Sequence, residues 1–292
     1  MKFVHSMFSK AVTAPSIGRE RALTVMEQVS AVTHLVSSLE NLFTERDREF
    51  GGVNNWDVVR ENYATRSPLV RRALDKIAKP RHIRVIHATR AIAAASLLIP
   101  ATPRHYRAAA NGFLSVTSIT NYVTQPYGTD GTDQLSFQVQ AASTVARLAD
   151  KPRLVDACLW YVALQSTMSY AIAGYAKLPS RIWRSGEALP GILRTESYGD
   201  QSAYQLAQRH PAIARMSAHT VLFMECAFPV VFLAKGRPAP LMLASMATFH
   251  LINARVMGLG RFVWAFTSTY PALLYAVQRR ESAAALVTRR SS

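Results

Sequence analysis

The chain has 292 residues, of which 49% are hydrophobic and 18% charged, and its formal net charge is +16. That length allows one large domain or two small ones, and the positive balance suits an anionic partner: nucleic acid, anionic lipid headgroups or an acidic peptide. The apolar content favours lipid over nucleic acid, and the absence of GxSxG, P-loop, GxGxxG and HExxH patterns removes support for most soluble-enzyme classes.

The start, MKFVHSMFSKAVTAPS, has no uninterrupted apolar core after its first lysine and does not read as a cleaved signal peptide. Residues 22–43 carry Ala22, Val25, Val29, Val32, Val36, Leu39 and Phe43 at alternating steps of three and four, one face of a helix. Glu27, Gln28, His34, Ser37, Ser38 and Asn41 occupy the rest, so the helix is amphipathic. The run ERDREFGG ends it with charges and two glycines. A short helix is expected from Ser67-Pro68, because serine caps and proline is tolerated in the first turn. Leu69, Val70, Ala73, Leu74 and Ile77 are expected to face inward, with Arg71, Arg72, Lys76 and Lys79 outward.

From residue 83 the texture changes. Apolar segments recur at 85–101, 108–123, 134–146, 154–176, 217–234, 239–254 and 262–278, separated by loops rich in Pro, Gly and charge. The expected fold is all-α: a polytopic transmembrane bundle of about six to eight membrane helices, preceded by amphipathic helices. The expected organisation is an amphipathic, basic region over 1–82, a membrane bundle over 83–280 and a basic cytoplasmic tail over 281–292. Basic residues in the loops at 101–107, 147–153 and 235–238 place those loops inside by the positive-inside rule and the 177–213 loop outside. The expected location is the inner or plasma membrane, crossed several times.

Several polar residues sit in or beside the apolar runs. Lys177 closes the longest of them. Its amine is either a partly desolvated base or a snorkelling anchor at a helix end. Glu225 lies within AHTVLFMECAFPVVFLA, and a carboxylate there must be protonated or paired, with Lys177, Arg90 or a histidine as partner. His250 and Asn253 are three apart and share a helix face. Imidazole shuttles protons and the Asn amide orients a carbonyl or hydroxyl, whereas the bland role for both is helix–helix hydrogen bonding. A metal set of His219, Glu225 and His250 has no supporting ligand spacing, so no metal is expected. Cys158 and Cys226 form no CxxC or CxxH pair, and neither a disulfide framework nor a zinc site is suggested. The loop YGTDGTDQL brings Asp130 and Asp133 beside flexible glycines without an EF-hand ligand set.

The spacing Gln165…Tyr170…Ala173-Gly174…Lys177-Leu178…Trp183…Gly186, followed by Glu225 and by Phe249-His250…Asn253…Gly258…Phe262, resembles the HTTM family. That family is the membrane domain shared with vitamin K-dependent γ-carboxylase. The likeness covers about residues 85–278. Short bacterial members of the type of sporulation-delaying protein B, needed for maturing a secreted peptide toxin, are the better match in length. By this resemblance Lys177 is the base towards a reduced quinone and His250 lies near the same pocket. Two departures stand out. One extra residue separates Leu178 from Trp183, and GTDGTDQL replaces a histidine-bearing polar stretch. The carboxylase's large luminal region has no counterpart in these 292 residues, so γ-carboxylation itself is not expected.

The resulting expectation has Lys177, His250 and Glu225 as the catalytic group, with Asn253, Trp183, Gln165, Tyr170 and Asp133 around the substrate. The substrate is a quinone-like lipid or an exported peptide. The expected partners are membrane lipids and a secreted peptide precursor or small partner protein, without nucleic acid. The alternative is a non-catalytic membrane scaffold, immunity or export-assisting subunit in which the same polar residues join helices. Convergence of Lys177, Glu225 and His250 discriminates the two.

Overall fold

A computed structural model describes residues 16–63, 66–149, 151–233 and 236–279, and no strand occurs among them. The helix expected over 22–43 is α1 (Arg19–Phe43), and the charged run after it becomes a 3₁₀ turn at Glu45–Arg48. The helix expected at Ser67-Pro68 is α2 (Pro68–Ile77), with the Ser67 hydroxyl accepting the Val70 N–H. Its expected orientation is corrected, since Leu69, at 76% exposure, Val70 and Ala73 all face outward. The chain continues through α3 (Pro80–Leu98), α4 (Arg104–Thr124), α5 (Gly131–Leu148) and α6 (Pro152–Lys177). Short helices α7 (Arg181–Ser185), α8 (Ala188–Leu193) and α9 (Gln201–Arg209) lead to α10 (Pro211–Ala227), α11 (Ala239–Met257), α12 (Gly260–Thr267) and a helix, α13, over 270–279. The readings made for residues 1–15 and for the basic tail at 281–292 fall outside the described residues.

The all-α expectation is met, but the transmembrane part is corrected. No described helix is long and apolar enough to cross a membrane. The polytopic bundle, the multi-pass membrane location and the HTTM-type membrane domain therefore lack the spans they require, and the inside–outside loop assignment goes with them. The reason lies in where the helices begin, end and break. A perpendicular span needs about 20 mainly apolar residues. The 85–101 segment is part of a helix opening PRHIRVIHATR, and α6 begins PRLVD and carries Gln165, Ser166, Thr167 and Ser169 before Lys177. The 217–234 segment changes from α10 to a 3₁₀ turn at Phe228–Phe232, where Pro229 removes a backbone donor. The 262–278 segment is divided at Ser268 and Thr269.

The described chain divides into two compact units, one Thr24–Cys158, the other the chain to Leu23 together with that from Leu159. In the Thr24–Cys158 unit, Ala31, Ala94, Leu97 and Leu114 form an apolar cluster joining α1, α3 and α4. Beside it a charged cluster is buried. Glu27, with 0% exposure, accepts from Arg147 Nε at 2.7 Å, Arg147 Nη2 at 2.9 Å, Asn111 Nδ2 at 2.9 Å and Arg107 Nη1 at 3.3 Å. Arg107 also donates to the carbonyls of Leu97, Ile99 and Thr102. It thereby satisfies acceptors left over at the end of α3.

This cluster lies on the polar face of α1. Glu27, Ser30, Thr33, His34, Ser37 and Ser38 are the buried stripe, whereas the periodic valines are only half-buried and Phe43 is 86% exposed. Two buried imidazoles lie in the same unit. His34 Nδ1 meets Arg90 Nη2 at 3.1 Å, and His87 Nε2 meets the Gln125 amide at 3.1 Å. Burial, assisted by the Arg90 charge, pushes both down to about 3.

In the Leu159 unit the buried apolar residues are Leu159, Val162, Ala163 and Tyr170 on α6, Ala218 and Leu222 on α10, Leu243 and Met246 on α11, and Ala272, Leu273 and Ala276 on α13, among others. Ile17 N–H donates to Gln278 Oε1 at 3.1 Å, tying the segment before α1 to α13.

Two outcomes follow. Glu27→Gln removes the counter-charge of two buried guanidiniums, and loss of one partner from such a group costs about 3–5 kcal/mol. Denaturant unfolding at pH 7 is expected to show that loss, against no more than about 0.5 kcal/mol for the exposed Glu61→Gln. For the histidines, the unfolded chain binds protons below about 6.5 while folded His34 and His87 stay neutral until about 3. Their contribution is therefore complete above pH 6.5 and lost as pH falls through that window. The urea midpoint is expected to drop between pH 7 and pH 4.5, and to drop less in His87→Gln.

Candidate functional site: an ion pair beside a tyrosine–histidine chain

The site is set by a close approach of α6 to α10. A Cβ on Gly174 would lie 2.7 Å from Cys226 N, 2.8 Å from its Sγ and 2.9 Å from Glu225 Cβ. Only a glycine lets the two helices meet there. Lys177 stands three residues further along α6, on the same helix face. Its position in the last turn also suits a cation, which the partial negative charge of a helix C-terminus stabilises.

Lys177 Nζ donates to both oxygens of Glu225, at 2.8 Å to Oε1 and 2.6 Å to Oε2. The lysine side chain is 25% exposed and the glutamate 6%. Nζ lies 5.2 Å from the centre of the Trp183 ring, on α7. Gly186 ends α7 in the left-handed conformation, φ +85°, and a Cβ there would lie 2.7 Å from Arg215 Cα. Arg215 Nε donates to the Ser185 carbonyl and His219 Nε2 meets the Arg184 carbonyl, so α10 also secures the end of α7. Burial raises the Glu225 carboxyl above the ordinary range, and the Lys177 ammonium opposes that rise.

About two turns back along α6 from Lys177, Tyr170 is 3% exposed. Its hydroxyl lies 2.8 Å from His250 Nε2 on α11 and 3.2 Å from the Tyr270 hydroxyl on α13. The His250 ring stacks on Phe266, centroids 4.5 Å apart, and Tyr170 packs on Phe228 at 4.3 Å. Burial pushes the Tyr170 phenol well above its usual range, followed by the influence of Tyr270 and the Glu225 charge. Burial also lowers His250 to about 3. At neutral pH the imidazole is uncharged, either donating to the Tyr170 oxygen or accepting its proton.

Lys177, Glu225 and Trp183 thus form one group in direct contact, and Tyr170, His250 and Tyr270 form another; Tyr170 and Lys177 share α6, and the Glu225 charge is the least of the influences that raise the Tyr170 phenol. The other expected residues stand apart from this chain of contacts. Gln165 is half-buried on α6, and its carbonyl accepts the Ser169 hydroxyl. Asn253 is half-buried near the end of α11, where its carbonyl receives the N–H of Gly258 and of Leu259. Asp133 belongs to the Thr24–Cys158 unit and caps α5, Oδ2 accepting the Asp130 N–H at 3.1 Å. Arg90, considered as a partner for Glu225, bonds within that same unit. Among the described residues no group of three or more His, Cys, Asp and Glu side chains is placed to hold a metal. Tyr270 and Phe266 were missed because both are ordinary core residue types within an apolar run.

Comparisons with protein-family models, with curated proteins and with solved structures find no match to this chain.

Gly174→Ala tests the construction of the site. Relief of the contact with Cys226 must separate α6 from α10, and overpacking of this kind costs about 1–3 kcal/mol. The ion pair should weaken with it. In a double-mutant cycle, Glu225→Gln is expected to cost less in the Gly174→Ala background than in the native one. An unchanged cost would mean that the pair forms independently of the glycine contact.

Proposed function

We propose that the Leu159 unit carries a proton-transfer site for a ring-bearing hydroxyl of the phenol or quinol class. Glu225 takes the proton and Lys177 holds the oxyanion that remains. The observation that carries this reading is the contact of a partly exposed ammonium with a nearly buried carboxylate, next to the Tyr170–His250–Tyr270 chain. Burial makes Glu225 a stronger base than an ordinary carboxylate. The ammonium is the more exposed partner and has three donors, so it can turn an N–H to an incoming oxygen while still holding Glu225. In the step proposed, the substrate O–H bond breaks, the proton goes to a Glu225 oxygen, and the electron pair stays on the substrate oxygen facing Lys177. Trp183 supplies a flat wall beside Lys177 that suits a ring. This differs from the expectation of Lys177 as the base: the carboxylate bonded to it takes that part.

A second reading has a specific observation in its favour. The Gly174 contact and the engagement of both Glu225 oxygens suit a structural lock between α6 and α10 in a non-catalytic protein.

Aerobic oxidation of duroquinol separates the readings, because dioxygen reacts with the quinolate faster than with the quinol. The native chain is expected to raise the rate over buffer at neutral pH. Glu225→Gln and Lys177→Ala should return it to the buffer value, and Lys177→Arg should keep part of it, since guanidinium also stabilises an oxyanion. The rate should rise with pH through a midpoint above the ordinary carboxylate value of about 4.3. No acceleration by the native chain, or undiminished acceleration by Glu225→Gln, with lower unfolding midpoints in both alanine and glutamine variants, would leave the structural lock as the role of the pair.

A further inference from the structure

Glu27, Arg107, Arg147 and Glu225 each have an opposite charge in contact, whereas Arg90 has none among the described residues. It is 2% exposed on α3. Its Nη1 donates to the Leu114 carbonyl at 3.0 Å, to the Thr117 hydroxyl and to Ser118 Oγ, and Nη2 reaches His34 Nδ1 and Ser118 Oγ. All these acceptors are neutral. Its Nε has no partner among the described residues. A buried guanidinium held only by neutral groups retains most of its desolvation cost, and an anion brought to it gains correspondingly.

Arg90 also lines a cavity of about 470 Å³ within the Thr24–Cys158 unit. Ile119, Tyr122 and Phe137 give it apolar and aromatic walls, and Asp130 and Asp133 stand at the start of α5 on its border. The Asp133 charge is felt at Arg90, where it opposes the lowering of the guanidinium by burial. A simple anion would meet attraction from Arg90 and repulsion from the aspartates. A ligand bearing both charges would be favoured by each.

We propose that this cavity binds a small zwitterion of the α-amino-acid class with an apolar side chain, its carboxylate on Arg90, its ammonium towards Asp133, and its side chain against Ile119, Tyr122 and Phe137. The volume is within the range that encloses a small molecule. The site belongs to a different unit from the Lys177–Glu225 pair and does not depend on the proton-transfer reading.

Isothermal titration calorimetry on the full chain tests it with three probes of one shape: L-phenylalanine, 3-phenylpropionate, which lacks the ammonium, and phenethylamine, which lacks the carboxylate. Saturable binding of phenylalanine is expected, at least ten-fold tighter than either analogue. Asp133→Asn keeps an acceptor for the Asp130 N–H and should weaken phenylalanine about ten-fold while strengthening phenylpropionate. Arg90→Gln should abolish both. Because Arg90 is buried and its loss can disturb folding, Ile119→Trp, which fills the cavity from an exposed helix face, should also abolish binding with an unchanged unfolding midpoint. Phenylpropionate binding as tightly as phenylalanine, phenylalanine binding unaltered by Ile119→Trp, or no binding of phenylalanine at all would each overturn the proposal.

Discussion

The burial of the Glu27 carboxylate constrains the Thr24–Cys158 unit more than any other single feature. An ionised carboxylate removed from water must be neutralised and hydrogen-bonded. Arg107, Arg147 and Asn111 all converge on it, so α4 and α5 are drawn to the polar stripe of α1. Arg107 then serves twice, since the same guanidinium closes the carbonyls at the end of α3. The polar face of α1 is inside because its charge has partners there. The valine face, which no such constraint holds, is left half-buried.

The Leu159 unit solves the same problem with one cation. Among the described residues Glu225 meets one cation, Lys177, and the pair exists because Gly174 allows α6 and α10 to approach. One counter-charge leaves the carboxyl raised by burial, a proton acceptor stronger than a solvated glutamate. The difference between the two clusters is chemical. Glu27 is saturated by two guanidiniums and an amide, which suits a structural role, whereas Lys177 keeps a solvent-facing side.

Aromatic and imidazole groups complete that contrast. Tyr170, His250 and Tyr270 are held by ring packing on Phe228 and Phe266 and by their own hydrogen bonds. Burial keeps the imidazole uncharged and the phenols protonated, so the chain can relay a hydrogen-bond rearrangement without a buried charge. Arg90 stands at the other extreme, a buried cation whose partners are neutral and which borders an open cavity.

Local properties were legible in the sequence. The three-and-four spacing of residues 22–43 and the Ser67-Pro68 start depend on neighbours within a few positions, and each has its helix or cap in the structure. Which face of a helix is buried, and which segments are continuous, depend on residues far apart. Glu27 and Arg147 are 120 positions apart, Lys177 and Glu225 48, and no periodicity in either segment reports the other. The membrane expectation failed at that level. Hydropathy counted apolar residues in segments, whereas the folded chain breaks those segments at Phe228 and Ser268 and begins others on charged turns. The sequence by itself determined where helices form and which polar residues need partners. The tertiary structure decided who the partners are, because a buried charge selects its neighbour by proximity in space.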